Sequence, residues 1–245
     1  MDAMLFAAGL GTRLAPLTDS LPKALVPVAG VPMIERVARR LVAVGADRLI
    51  INTHQFAEVI EAFVASRQGF GAQVLFSPET AAPLETGGGL LHARGLFRGD
   101  RAAFLHNTDV LTDLPLDQLY AAHCASDAIA TLAVHERASA RFLEFDAAGL
   151  VGRGTMATGH SMRVRPAVGP PQRLAFCGVH VISPGLFAHL TERGAFPIVD
   201  AYLRLAAAGL RISPFRADGC VWMDIGTPER LAAAEAAYAG RRPGW

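Results

Sequence analysis

The feature that most constrains this chain is an apolar run, Ala3 to Ala8, that breaks without warning at Gly9. Six apolar residues bounded by glycine are too few for a helix and predict a buried strand. The strand empties into a loop carrying Gly9, Gly11, Thr12 and Arg13. Glycines there let backbone N–H groups come close to a ligand, because no Cβ intervenes. Successive N–H groups pointing inward form an anion cradle, and Arg13 adds a planar fork suited to phosphate oxygens. Further along, Lys23 supplies a compact positive charge between Pro22 and the next apolar run. A strand that ends in a phosphate-handling loop predicts an α/β fold with its site at the carboxyl ends of the strands.

Known phosphate loops narrow the choice. No Gly-Lys-Ser/Thr triplet follows these glycines, so a Walker A loop is excluded. The dinucleotide fingerprint fails at its third glycine, which is Leu14, and Asn52 and Thr53 stand where its ribose-binding carboxylate belongs. Pro16 and Pro22 predict that the loop runs on instead of turning straight into a helix. From Gly9 through Val28 the segment resembles the signature G-x-G-T-R-L-x-P-L-T-x-x-x-P-K-x-L-x-P-V of the sugar-phosphate nucleotidyltransferases. The residue-level alternative is a glycine-rich turn with surface charges.

Downstream, Pro32 opens an amphipathic helical pattern closed by Gly45, Arg48 to Asn52 reads as a strand, Phe56 to Val64 as a helix and Gln73 to Phe76 as a strand. Such alternation predicts parallel pairing with helices on both faces. The resemblance makes this a single domain over 1–245, a Rossmann-like three-layer α/β/α sandwich with a mostly parallel central sheet (GT-A-like). Its nucleotide-binding half spans about 1–115 and its sugar-binding half about 116–245.

Composition adds exclusions. Of 245 residues 51% are hydrophobic, enough for a large core, and the net charge of +1 invites neither nucleic acid nor an acidic tail. Cys124, Cys177 and Cys220 are odd in number and form no C-x-x-C pair, which fits a reducing cytoplasm. No basic n-region precedes the first apolar run, and no stretch approaches the ~20 apolar residues of a membrane helix. The partners expected are therefore small molecules, with the chain a monomer or homodimer.

The remaining motifs lie at further loops. Pro83 to Gly89, PLETGGG, puts three glycines before an apolar run and suits close packing against a flat base. It is similar to the base-recognition loop of the branch that uridylylates N-acetylmuramate 1-phosphate, although Glu85 and Thr86 could equally cap a helix. Asp109 follows a predicted strand through Asn107 and Thr108, where the family carries Asn-Gly-Asp, so Thr108 departs from the pattern. Trp222 to Pro228 resembles the family's second metal segment, W-x-D-I/V-G-T-P, with Asp224 as its carboxylate. Gly178 interrupts a strand, a common mark of close approach by a ligand. The stretch 152–173, rich in Gly, Pro and Arg, is either a solvated loop or a lid whose arginines meet phosphate.

The resemblance implies that an NTP and a sugar 1-phosphate give an NDP-sugar and pyrophosphate. It assigns Arg13 and Lys23 to catalysis, and Ala8, Gly9, Gly11, Thr12, Arg13, Pro83, Glu85, Gly87 and Gly88 to the nucleotide. It assigns Asn107, Glu144, Gly178 and Asp200 to the sugar, and Asp109 and Asp224 to Mg²⁺. UTP with N-acetylmuramic acid 1-phosphate is the expected pair. The alternatives are a GTP-dependent heptose-1-phosphate guanylyltransferase and a nucleotide-sugar-binding protein without turnover. A phosphocholine cytidylyltransferase would want an aromatic cage absent from these loops. Asp109 and Asp113 do not make a glycosyltransferase D-x-D.

Overall fold

The computed structural model describes residues 1–157 and 159–239. The end of the expected domain, 240–245, and Thr158 in the 152–173 stretch lie outside the described residues. Four strands, Gln73–Pro78, Arg48–Thr53, Asp2–Phe6 and Ala103–Asn107, pair in parallel in that spatial order. Their side chains alternate between two cores, as the period of two requires. Ala3, Leu5, Leu49 and Ile51 pack under the helices Met33–Ala43, Ala57–Ser66 and Leu116–Cys124. Met4, Ile50 and Leu105 face the opposite way, toward Glu85–His92 and Ile198–Ala207. The three-layer α/β/α architecture expected from the alternation is present.

Beyond Ala103–Asn107 the sheet turns antiparallel. The long strand Gln172–Ile182 pairs with it on one side and with Ala130–His135, and its first residues pair with Arg141–Asp146. Ile212–Arg216 then adds in parallel to Ala130–His135. The register of Gln172–Ile182 slips between Phe176 and His180, where Gly178 has φ +74°.

Parts of the 152–173 stretch are strand, while 156–157, 159–160 and 164–171 are mostly exposed turn and loop. Gly149–Thr155 extends a hairpin from Arg141–Asp146, and Ser161–Arg163 pairs back onto it. Of the four arginines expected to meet phosphate, Arg153 lines the wider of two cavities at the sheet end, and Arg163, Arg165 and Arg173 are committed within this wall. Arg163 and Arg173 bind Glu144 at 2.8 and 3.4 Å, and Arg165 forks onto Asp146 at 2.6 and 3.0 Å.

A small satellite core joins the two ends of the chain. Leu14, Val26, Val28 and Met33 pack with Leu111, Ile225, Ala234 and Tyr238. The last helix, Pro228–Tyr238, starts with Thr227 as its cap and Pro228 in the first turn. Among the described residues no helix is long and apolar enough to cross a membrane.

Candidate active site

The phosphate loop folds as three short 3₁₀ turns, Thr12–Leu14, Leu17–Asp19 and Lys23–Leu25. Gly11 is required at its bend: φ is +68°, and a Cβ there would lie 3.0 Å from Thr18 and 3.1 Å from Lys23. Thr18 Oγ1 donates to the Gly11 carbonyl at 2.9 Å, which closes the loop on itself. Lys23 is thereby aimed across the sheet end, where its Nζ pairs with Asp109.

Two cavities meet at that pair. The narrower, about 250 Å³, is bounded by Ala8 and Gly9 on one side and by Pro83, Glu85 and Thr86 on the other, with Lys23 and Asp109 at its end. The wider, about 810 Å³, opens between Trp222 and the hairpin wall. Asn107 and Asp109 line both. Asp109 and Asp224 are neighbours across the short antiparallel pair Val110–Thr112 and Trp222–Asp224: Ile225 N–H donates to the Asp109 carbonyl at 3.0 Å. Burial pushes the Asp224 carboxyl up, but Arg230, the Gly226 N–H and the charge of Lys23 outweigh it and hold it below the usual range. Arg230 NH1 reaches both Asp224 oxygens, at 2.8 and 2.6 Å.

Arg13 is exposed and lines the wider cavity, beside the Asp224 turn: a Cβ on Gly226 would sit 2.8 Å from Asp224 Oδ1 and 3.2 Å from Arg13. Gly178 also belongs to this cavity, and its missing Cβ makes room for the Asn107 amide, 2.8 Å away. The close approach expected at Gly178 is thus made by Asn107. Thr108 turns inward and donates to the Phe6 carbonyl at 2.7 Å. Its hydroxyl ties two strand ends together in place of the family's glycine.

Several predicted residues stand elsewhere. Glu144 is 1% exposed and absent from both cavity walls, because Arg163 and Arg173 hold it inside the hairpin wall. Asp200 pairs with Arg153, which does line the wider cavity. Gly87 and Gly88 are buried behind Thr86, with both N–H groups directed to the Phe196 carbonyl at 2.8 and 3.3 Å. A Cβ on Gly87 would strike the Phe196 ring at 2.2 Å, and one on Gly88 the Gly194 carbonyl at 2.4 Å. These glycines serve helix packing.

The sequence reading missed Asn52 and Glu79. Ala7 N–H donates to Asn52 Oδ1 at 2.8 Å, Asn52 Nδ2 to Glu79 Oε1 at 2.7 Å, and Leu84 N–H to Glu79 Oε2 at 2.6 Å. This relay ties the loop that leads into Glu85–His92 to the end of the strand Asp2–Phe6. Gly89 permits it, since a Cβ would lie 2.6 Å from the Glu79 carboxylate.

Glu85, on the same loop, is an exposed residue held at φ +57°. Left-handed backbone at a non-glycine residue costs on the order of 1 kcal/mol or more. Glu85→Gly is expected to raise the melting temperature by about 2–4 °C in a domain of this size. A calorimetric scan with no rise would mean that the side chain offsets its own strain.

A family model described as nucleotidyl transferase matches residues 2–241. An N-acetylmuramate alpha-1-phosphate uridylyltransferase of Caulobacter vibrioides is 34% identical, over 97% of this chain and 96% of its own. A protein of the same name from Neisseria meningitidis serogroup B is 33% identical, over 96% and 97%. A mannose-1-phosphate guanylyltransferase of Mycobacterium tuberculosis is 30% identical over 96% of this chain, which spans 64% of that protein. In fold, a UDP-glucose pyrophosphorylase solved with UDP-glucose superposes with a TM-score of 0.79 at 20% identity, covering 98% and 99% of the two chains.

Proposed function

The chain belongs to the nucleotidyl transferase family, and from that premise we propose that it joins UTP to N-acetylmuramic acid 1-phosphate. The observation that carries the reading is the seam between the two cavities, where Lys23, Asp109 and Asp224 gather. The activity named for the two uridylyltransferase relatives supports the choice of substrates.

UTP lies in the narrower cavity, its base toward Pro83, Glu85 and Thr86 and its phosphates toward Gly9 and Lys23. The sugar lies in the wider one, its phosphate at the seam. A sugar phosphate is largely dianionic near neutral pH, its second pKa being about 6, and attacks the α-phosphorus without a general base. One phosphorus–oxygen bond forms as the bond to the β-phosphate breaks, and pyrophosphate leaves. The protein's task is to align two mutually repelling anions and offset the charge on the leaving group. Lys23 neutralises the anions at the point of transfer, and Arg13 and Arg230 offset charge on the Asp224 side. The donor set at the seam is two carboxylates on adjacent backbone positions, oxygen chemistry that suits Mg²⁺ together with substrate phosphates. Asp109 and Asp224 would hold that ion, whose charge would stabilise the departing pyrophosphate.

The test is a matrix of UTP, GTP, CTP and ATP against N-acetylmuramic acid, mannose, heptose and glucose 1-phosphates, with pyrophosphate release as readout. UTP with N-acetylmuramic acid 1-phosphate is expected to turn over best. A preference for GTP with mannose or heptose 1-phosphate overturns the substrates and leaves the reaction class. No release from any pair overturns turnover itself in favour of a nucleotide-sugar-binding protein.

A further inference from the structure

Five arginines line the wider cavity: Arg13, Arg137, Arg141, Arg153 and Arg230. Among the described residues its carboxylates are Asp109 and Asp224 alone. Both are already paired, with Lys23 and Arg230. Arg153 is paired too, with Asp200. That accounting leaves a surplus of positive charge on the side where the sugar lies.

The surplus is concentrated on one short connection. Arg137 lies flat on Trp222, its guanidinium carbon 3.5 Å from the ring centroid, and donates to the Phe176 carbonyl at 3.2 Å. Trp222 is itself anchored by Nε1 donating to the Cys177 carbonyl at 2.9 Å. Arg137 Nε is buried and has no hydrogen-bond partner among the described residues. Four residues on, Arg141 opens the hairpin wall in register with Thr155. Among the described residues neither Arg137 nor Arg141 forms an ion pair. A half-buried guanidinium oriented by stacking, without a carboxylate of its own, is preorganised for an anionic ligand.

The wall offers a neutral sugar the Asn107 amide and the Ser139 and Ser161 hydroxyls, but no unpaired carboxylate among the described residues. Hydroxyls are read by carboxylates and amides that accept and donate in pairs. The two carboxylates expected to serve here are both occupied: Glu144 is turned into the hairpin and held by Arg163 and Arg173, and Asp200 is paired with Arg153. The seam already has Lys23, Arg13 and Arg230 for the transferring phosphate.

We propose that Arg137 and Arg141 form an anion subsite for a carboxylate carried by the sugar ring, so that the acceptor is an acidic sugar 1-phosphate. This rests on the transferase reading above and selects among its substrates on charge. N-acetylmuramic and N-acetylglucosamine 1-phosphates provide the probe, because they share ring, acetamide and phosphate and differ in the lactyl ether carboxylate.

The experiment compares kcat/KM for the two sugars, with UTP saturating, in the wild type and in Arg141→Gln, Arg137→Gln and Arg137→Lys. The wild type favours the acidic sugar. In each Gln variant the ratio of the two kcat/KM values falls about ten- to a hundredfold, the range for losing a hydrogen bond to a charged group. Arg137→Lys recovers part of the ratio, since it keeps the charge and loses the planar fork. Arg141 is exposed, so its variant keeps the test sound if loss of Arg137 disturbs the stack on Trp222. An equal fall for both sugars assigns the arginines to the phosphate and overturns the subsite, as does an unchanged ratio. Absence of turnover with every sugar 1-phosphate would instead bring down the transferase reading on which the subsite rests.

Discussion

Lys23→Ala lowers turnover by about a hundred- to a thousandfold, on the order of 3–4 kcal/mol, while the protein stays folded. The magnitude is that of removing one preorganised donor from a site where charge builds in the transition state. Lys23 is such a donor: Gly11 lacks the Cβ that would crowd its stem, and its ammonium sits at the seam of the two cavities. Its partner Asp109 is a quarter exposed, so water covers the carboxylate once the lysine is gone and stability changes little. Lys23→Arg is expected to recover only part of the rate, because a bulky planar fork replaces a compact charge. Single-turnover kinetics beside a thermal melt check both halves of the claim. Near-normal turnover in Lys23→Ala would remove this residue from the chemistry.

Asp109→Asn and Asp224→Asn each abolish most activity, and the double variant is little worse than either alone. Residues that act as a unit are non-additive, and two carboxylates sharing one ion are such a unit. Asp224→Asn also releases Arg230 from a bidentate pair, but that arginine is more than half exposed and the pair is worth at most about 1 kcal/mol of stability. EDTA is expected to silence the wild type and Mg²⁺ to restore it. Lys23 and a divalent cation want the same Asp109 carboxylate, so metal affinity should be low in the free protein and rise when nucleotide phosphates draw the lysine away. Isothermal titration with and without a nonhydrolysable nucleotide measures that difference. Full activity in EDTA would falsify the metal pair.

The parts of the site legible in the sequence are those whose partners are close in the chain or repeat with a period. Gly9, Arg13 and Lys23 belong to one continuous loop and reach the two cavities from it, so their spacing was readable along the chain. The parallel strands announce themselves as short unbroken apolar runs, since Ala3, Met4 and Leu5 serve two cores in turn. Glu144 was illegible because its fate depends on Arg163 and Arg173, which reach it only after the hairpin forms. The three glycines of PLETGGG suggest a flat ligand until Phe196 and Gly194, from far along the chain, fill the space at Gly87 and Gly88, and Glu79 and Asn52 that at Gly89. Glu79 looked like any loop acid. Only the pairing of Arg48–Thr53 with Gln73–Pro78 brings it against Asn52.

The satellite core beneath the phosphate loop has a consequence for synthesis. Leu14 and Val26 find their cover in Ile225, Ala234 and Tyr238, each of them almost fully buried, and Glu235 accepts from the Ala29 N–H at 2.8 Å. A buried side chain of that size stabilises by roughly 1.5–3 kcal/mol, so part of what holds the loop in shape comes from partners made long after it. At roughly 5–20 residues per second the ribosome needs on the order of ten to forty seconds to travel from Leu14 to Tyr238. For that interval the nascent chain carries its glycine loop uncovered and unshaped, and nucleotide finds no finished cradle on it. The cover over the loop is complete only when Pro228–Tyr238 has left the exit tunnel and packs against Leu14 and Val26.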